Sequence, residues 1–190
     1  MAHNPESIAK QVEQSGESGK GLPPLDKWHP ELSGDIDIRI TRDGQWIYKG
    51  EPLAREAIVR LFSTILRRED NGNYYLVTPV EKWRVQVEDA PLLAHSLEVK
   101  GQGADQMLYL TTNVGETLVV GPEHPLIVGR YPHSDEPRPV VLVRHGLEAR
   151  LVTAAYYDLA EHVIDSKADD GSLVLGVWSD GNFYEIGQGS

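Results

Sequence analysis

Residues 35–68 decide the fold, and they have the sequence DIDIRITRDGQWIYKGEPLAREAIVRLFSTILRR. Isoleucine alternates with charged residues over positions 35–40, which is typical of a strand with one buried face. The turn Arg42–Gly44 and the apolar segment Trp46–Tyr48 complete a hairpin. Apolar residues then recur at helical spacing from Leu53 to Arg68. The stretch therefore predicts a hairpin followed by an amphipathic helix.

The start of this helix has its own signals. Pro52 is expected at the first helical position, where its fixed φ suits the helix and no backbone donor is lost. Glu56 and Arg60 are four residues apart, so we expect an ion pair on the solvent side. Asn71–Gly72 then predicts the turn into a second hairpin over Tyr74–Val87.

The same order of elements recurs further along the chain. Leu126–Tyr131 and Val140–Arg144 predict a hairpin, a helix is expected from about Ala149 to Asp165, and a second hairpin from Leu173 to Ile186. The apolar stripes of the two helices match in spacing: Ala57, Ile58, Leu61, Phe62, Ile65 and Leu66 correspond to Leu151, Val152, Ala155, Tyr156, Leu159 and Ala160. We expect two units that superimpose through these helices.

The predicted fold class is α+β, with two repeated hairpin–helix–hairpin units and antiparallel sheets. Residues 1–21 are expected to be a flexible appendage, with a short helix from Pro5 to Gln14 and a Gly/Ser-rich linker after it. Residues 22–90 form the predicted N-terminal domain, which includes an extended strap over Leu22–Pro30. Residues 91–190 form the predicted C-terminal domain, a curled antiparallel sheet with one helix.

Two details complete this domain plan. Trp28 is interpreted as the residue that packs the strap onto the core. Three further strands are predicted in the middle of the chain, over Leu92–Val99, Met107–Thr112 and Thr117–Val120.

Composition narrows the classes of function. The chain has 190 residues, 40% hydrophobic content and no long apolar run, which indicates neither a membrane span nor a secretory signal. A formal net charge of -11 argues against general nucleic-acid or anionic-membrane binding. With 0 cysteines, thiolate metal sites and thiol nucleophiles are excluded. We expect a cytoplasmic protein; its oligomeric state is left open.

Motifs for catalysis and cofactors are absent from the sequence. It lacks the Gly-rich phosphate loop, the Gly-x-Ser-x-Gly elbow and the His-Glu-x-x-His helix. Asp35-x-Asp37 lacks the remaining ligands of a calcium loop, and His124 and His133 lack a third zinc ligand. We therefore predict no catalytic residues, no metal and no cofactor, and whether the protein is an enzyme is left open.

One group of residues predicts a binding site. Four cations return to one neighbourhood around a predicted hairpin, where a guanidinium is suited to bidentate binding of a carboxylate or phosphate. Polar aromatic residues of the second repeat are expected to close the opposite wall. The predicted ligand-binding residues are Arg67, Arg68, Glu81, Lys82, Arg84, Tyr157 and Trp178. In the alternative interpretation, the cations form a solvated face that neutralises Glu69, Asp70, Glu81 and the helix end.

A series of short motifs also runs through the chain after residue 22. These are PPLDKW at 23–28, GDID at 34–37, RDGQW at 42–46, LFSTILRR at 61–68, LVTPVEKW at 76–83, TNV at 112–114, EPRP at 136–139, GLEAR at 146–150, YYDL at 156–159 and GVWSDG at 176–181. In this order they resemble the DUF1285 family of proteobacterial proteins. The resemblance implies two structurally repeated domains, the second loosely like a pleckstrin-homology fold, a ligand or partner site at the domain interface, and a signalling role. It implies no catalytic residues.

Two functions from different classes follow. The first is a non-enzymatic binding or adaptor module that recognises a small anionic molecule, or an acidic peptide of a partner protein, between the two repeats. The alternative is a hydrolase or transferase with a site assembled from distant residues such as Asp158, His145 and Glu81.

Overall fold

The computed structural model describes residues 4–15 and 21–188. The chain divides into two compact units. The first comprises Met1–Pro91 and His145–Leu147, and the second comprises Leu92–Arg144 and Glu148–Ser190. Each unit is described by itself below.

The described residues contain three α-helices and fifteen strands. The helices are α1 (Pro5–Gln14), α2 (Glu56–Ile65) and α3 (Thr153–Ala160). The strands are β1 (Leu32–Ile40), β2 (Trp46–Tyr48), β3 (Glu51–Pro52), β4 (Leu66–Arg68), β5 (Tyr74–Val77), β6 (Lys82–Val87), β7 (Leu92–Lys100), β8 (Met107–Thr112), β9 (Thr117–Val119), β10 (Leu126–Arg130), β11 (Pro137–Arg144), β12 (Leu147–Leu151), β13 (Ile164–Lys167), β14 (Leu173–Ser179) and β15 (Asn182–Gln188). Short 3-10 helices cover Leu25–Lys27 and Gly103–Asp105.

The first unit is built on a six-stranded sheet in the order β3-β2-β1-β6-β5-β4. Ile36, Ile38 and Ile40 are buried while Asp35, Asp37 and Arg39 are exposed, which confirms the predicted alternation of β1. Phe62 of α2 belongs to the same core and is fully buried.

The prediction of purely antiparallel sheets is wrong at two places. Strands β1 and β6 pair in parallel, and so do β7 and β12. A parallel pair needs a long connection between its strands. The segment from β2 to β5, which contains α2, provides it in the first unit, and the segment from β8 to β11 provides it in the second.

Helix α2 is shorter than predicted at both ends. Pro52 lies in β3 and pairs with Ile47 instead of starting the helix. Leu66–Arg68 pair with Tyr74–Leu76 as β4 and β5, so pairing with a neighbouring strand replaces helical hydrogen bonds there. The predicted pair of Glu56 with Arg60 is confirmed at 3.8 Å.

The second unit contains two sheets and one helix. A curled six-stranded sheet has the order β10-β11-β12-β7-β8-β9, and a three-stranded sheet has the order β13-β14-β15. Helix α3 packs against β7. The three strands predicted in the middle of the chain are confirmed as β7, β8 and β9.

The second helix was predicted too long. Leu147–Leu151 form β12, whose buried residues alternate with partly exposed ones, and Ile164–Lys167 pair with β14. Pairing with β7 accounts for the strand, because it satisfies the backbone groups of residues that also have helical periodicity.

The two copies keep the same order of elements but differ in their sheets. In the first copy the strands join one sheet, whereas in the second they are divided between two. Leu151 and Val152 precede α3, so the matched stripe is wrong at its start. Ala155 and Leu159 are buried as predicted. Superposition of the two copies stays a prediction.

The amino-terminal segment is part of the first core. The Asn4 side chain caps α1 by accepting a 2.8 Å hydrogen bond from the Ser7 backbone, and Ile8 and Val12 are fully buried. Helix α1 packs against α2. The predicted flexible appendage is therefore wrong for residues 5–14, because the apolar face of this helix has a partner. The predicted linker falls mainly on residues 16–20, which lie outside the described residues.

The strap packs as predicted. Leu25 is fully buried and Trp28 is 7% exposed, and both belong to the first core. This confirms Trp28 as the packing residue of the segment.

Among the described residues, no helix is long and apolar enough to span a membrane.

Candidate functional site

The four predicted cations lie on two faces of the first sheet. Arg67 and Arg84 both pair with Tyr75, one from each neighbouring strand, so these three residues share a face. Lys82 is two residues from Arg84 and lies on that face as well. Arg68 follows Arg67 directly and lies on the opposite face. The structure therefore brings together three of the four cations.

Arg67 and Lys82 share one carboxylate. Nη2 of Arg67 lies 2.7 Å from Oε2 of Glu69, and Nζ of Lys82 lies 2.9 Å from Oε1 of the same residue. Nζ of Lys82 is also 4.7 Å from the centre of the Tyr75 ring, within the range of a cation–π contact. The two cations are only 14% and 17% exposed, so they have little surface left for a ligand.

Arg67 also holds the strap in place. Its Nη1 donates to the backbone oxygens of Leu25 and Trp28, at 3.1 and 3.0 Å. Because these carbonyls lie next to buried side chains, the guanidinium fixes the part of the strap that enters the core. Arg67 thus has a structural role that accounts for its burial.

The pKa of Glu69 reflects this arrangement. Partial burial acts to raise it, but the hydrogen bonds from Lys82 and Arg67, together with their charges, lower the pKa below its usual value. A carboxylate with a lowered pKa in the folded state stabilises that state above the pKa of the unfolded chain.

Glu69→Gln is expected to reduce the free energy of unfolding at neutral pH and to have little effect in acid. The free energies of unfolding of wild type and Glu69→Gln should differ by a constant amount from pH 7 to about 5. This difference should disappear as the pH falls through the lowered pKa of Glu69. Urea unfolding at a series of pH values measures it. A difference of the same size at every pH would show that the carboxylate charge is not what matters.

Arg68 and Glu81 are used in other contacts. The guanidinium of Arg68 lies 5.5 Å from the centre of the Tyr74 ring. Oε2 of Glu81 accepts a 2.8 Å hydrogen bond from Nε1 of Trp83, a buried residue of the first core. Glu81 thereby orients an aromatic side chain in the core.

Arg84 is in a different situation. Its Nε and Nη2 donate to the two carboxylate oxygens of Asp35, the second bond being 2.9 Å long. The hydrogen bonds from Arg84 lower the pKa of Asp35, and those to Asp35 raise the pKa of Arg84. The side chain of Arg84 is 45% exposed. This cation is held in one orientation and remains accessible to solvent.

Arg84 lines an open cleft of about 650 Å³ in the first unit. Strands β1 and β6, the turn before β5 and the first residue of β5 provide its polar side chains, which are Asp35, Asp37, Asn73, Tyr74, Arg84 and Gln86. Within the described part of the chain, Nη1 of Arg84 has no hydrogen-bond partner. The cleft therefore offers a fixed guanidinium with unused donors.

The two aromatic residues predicted for the opposite wall lie in the second unit. Tyr157 is 68% exposed and lines a small cavity of about 150 Å³ with Tyr156 and Arg150. Trp178 packs its ring against Phe183 with 5.5 Å between the ring centres. That these residues and the cations form one site stays a prediction.

Of the three residues of the enzymatic alternative, His145 and Glu81 have partners outside that set. Nδ1 of His145 lies 3.5 Å from Oδ1 of Asp26, which is longer than the hydrogen bond of a base and its orienting carboxylate. Glu81 is bonded to Trp83 as described above. Asp158 is exposed on α3. Among the described residues, no group of three or more metal-ligating side chains is gathered.

Comparison with known proteins assigns the family. The model of the N-terminal domain of DUF1285 matches residues 23–90, and the model of its C-terminal domain, described as a protein of unknown function, matches residues 91–186. The chain belongs to the DUF1285 family. The chain is similar to a DUF1285 family protein from Silicibacter pomeroyi DSS-3, whose crystal structure is known, with 41% sequence identity and a TM-score of 0.86. The match covers 99% of this chain and 97% of the other protein's chain.

A second DUF1285 structure matches over a smaller part. The protein from Shewanella baltica OS155 has 31% sequence identity with this chain and a TM-score of 0.52. The match covers 66% of this chain and 91% of the other protein's chain. No curated protein matches. The DUF1285 architecture of two domains is therefore shown, and the chemistry of the site must be argued from its residues.

The sequence alone does not reveal the partners of Arg84 in this DUF1285 chain. Asp35 is 49 residues away from Arg84 in the sequence. The alternation of β1 and of β6 does place Asp35, Asp37, Arg84 and Gln86 on outward faces. The missing information was that these two strands are parallel neighbours in the sheet.

Proposed function

We propose that the protein is a non-enzymatic binding or adaptor module that recognises an anionic group, on a small molecule or an acidic peptide, through Arg84. The observation that carries this proposal is a guanidinium fixed by Asp35 at an open cleft of about 650 Å³. Ligand pockets commonly have volumes of about 300–1,000 Å³.

The geometry of the guanidinium supports this role. Asp35 occupies the edge formed by Nε and Nη2. A guanidinium has five N–H donors in one plane, so the edge formed by Nη1 and Nη2 keeps donors for a carboxylate or phosphate. A positioned arginine loses less conformational entropy on binding than a freely moving one.

This proposal is narrower than the prediction from sequence. Arg67 and Lys82 both pair with Glu69, which the alternative interpretation included, but they are mostly buried and do not form a solvated face. Arg67 also holds the strap. Arg84 and its cleft remain as the binding element. Tyr157 and Trp178 stay predicted members of the site.

Other parts of the prediction also stay proposals. These are the role in signal transduction, the cytoplasmic location and the likeness of the second domain to a pleckstrin-homology fold. The curled sheet and single helix of that domain support the last of them.

Arg84→Ala is expected to weaken binding of an anionic ligand by about tenfold or more, because hydrogen bonds to charged groups contribute roughly 1.5–3 kcal/mol. Its effect on stability should be small, because the ion pair of Arg84 with Asp35 is exposed to solvent. A thermal-shift screen of anionic metabolites, nucleotides and acidic peptides supplies the ligand, and calorimetric titration measures its affinity.

The matched control is Arg60→Ala. Arg60 is also an exposed arginine with a carboxylate partner, Glu56, but it lies on α2 and outside the cleft. Its substitution should leave the affinity unchanged. Equal affinities of wild type and Arg84→Ala would overturn the proposed function.

A further inference from the structure

The formal charge of the cleft bears on the class of ligand. Two carboxylates, Asp35 and Asp37, and one guanidinium, Arg84, line it, so its titratable side chains carry a net charge of -1. Arg39, two residues after Asp37 in β1, is paired with Glu88, with 3.5 Å between Nε of Arg39 and Oε1 of Glu88. A ligand with only negative charge would therefore be attracted by Arg84 and repelled by the carboxylates.

Asp37 has no counterion in the described part of the chain. Its carboxylate has no hydrogen bond or ion pair there, although it lines the same cleft as the bonded pair of Asp35 and Arg84. Asp35 and Asp37 lie on one face of β1, two residues apart, which corresponds to about 6.6 Å along a strand. The cleft thus has an unused acceptor near an unused donor.

Two neutral amides also line the cleft. Gln86 lies two residues after Arg84 on the same face of β6, and Asn73 comes from the turn before β5. Neither side chain has a hydrogen-bond partner among the described residues. Both groups can donate and accept, and so can bind the polar backbone of a ligand.

We propose that the cleft binds a compact zwitterion, an L-α-amino acid or short peptide, with its carboxylate on Arg84 and its ammonium on Asp37. This inference rests on the proposed function, because it uses the same guanidinium as the anion-binding group. The ligand adds no net charge to the cleft. Asp35 keeps its bond to Arg84 and does not have to be displaced.

The test uses the full-length protein and matched sets of probes. These are the common L-amino acids, together with the N-acetyl derivative and the carboxamide of each one that binds. Acetylation removes the ammonium charge and amidation removes the carboxylate. Calorimetric titration is expected to show binding of at least one free amino acid. Its N-acetyl derivative and its carboxamide should each bind about tenfold or more weakly than the free amino acid.

Two variants assign the two charges. Asp37→Asn should weaken the binding of the free amino acid by about tenfold and leave the weak binding of its N-acetyl derivative unchanged. Arg84→Ala should weaken the binding of both the free amino acid and its N-acetyl derivative. Asp43→Asn is the control, because Asp43 is an exposed aspartate of the turn after β1 and does not line the cleft. Thermal unfolding of each variant checks that it is folded.

The outcomes separate the two proposals. If the N-acetyl derivative binds as well as the free amino acid, the zwitterion is overturned and anion recognition stands. If the carboxamide binds equally well and Arg84→Ala has no effect, both are overturned. If no amino acid binds but another anion binds through Arg84, only the zwitterion is overturned.

Discussion

Removing residues 1–30 is expected to unfold the first domain. The deletion takes Ile8, Val12, Leu25 and Trp28 out of its core, where the first three are fully buried and Trp28 is 7% exposed. Truncating one buried leucine or tryptophan to alanine costs about 2–5 kcal/mol, and whole domains are stable by only about 5–15 kcal/mol. The deletion also removes the two carbonyl groups that accept hydrogen bonds from Arg67.

A shorter deletion, of residues 1–21, is expected to have an intermediate effect. It removes α1 but keeps the strap. Burying an aliphatic side chain contributes about 1.5–3 kcal/mol, and ordering the helix offsets part of this, so we expect a loss of about 2 kcal/mol. For a chain of this size that lowers the Tm by about 4–8 °C.

Point substitutions in α1 provide the control for both deletions. Ile8→Ala should lower the Tm, whereas Lys10→Ala, on the exposed side of the same helix, should leave it nearly unchanged. Thermal unfolding and amide hydrogen exchange of the first domain report the results. A deletion of residues 1–30 with the Tm of the full chain would show that neither segment is packed in solution.

Gly176→Ala is expected to destabilise the second domain by about 3 kcal/mol or more, because it forces a side chain into a closed space. Gly176 lies in β14 opposite Glu185 of β15. A Cβ atom there would collide with the backbone oxygen of Tyr184 and would lie 2.7 Å from Cζ of Phe183. The backbone oxygen cannot move without breaking the pairing of the two strands.

Gly187→Ala is the matched control. Gly187 belongs to the same three-stranded sheet, and a Cβ atom at this position meets nothing within 4 Å. Its substitution should change the free energy of unfolding by much less than that of Gly176, as measured by urea denaturation. Equal losses would indicate that the β14–β15 hairpin can open to accept a methyl group.

Local patterns predicted the fold well where neighbours in sequence determine it. The alternation in β1, the Glu56–Arg60 pair and the strap with Trp28 depend on short spacings, and the structure confirms each of them. The ends of the helices were predicted less well. Leu66–Arg68 and Leu147–Leu151 become strands because distant strands pair with them, and helical spacing does not reveal those partners.

The same distinction applies to the candidate site. Residue type and charge identified Arg84, since a cluster of four cations around one hairpin is conspicuous in an acidic chain. The sequence could not indicate that Glu69 would bind both Arg67 and Lys82, or that Asp35 would orient Arg84. These contacts depend on which strands are neighbours, above all on the parallel pair of β1 and β6.

The placement of residues 145–147 has a consequence for the order of folding during synthesis. Leu147 is fully buried in the core of the first unit, although the rest of that unit ends at Pro91. A chain is translated from its amino terminus towards its carboxyl terminus. The ribosome must therefore make β7 to β11 before it supplies the last side chain of the first core, so this core cannot complete its packing when only the segment up to Pro91 has been translated.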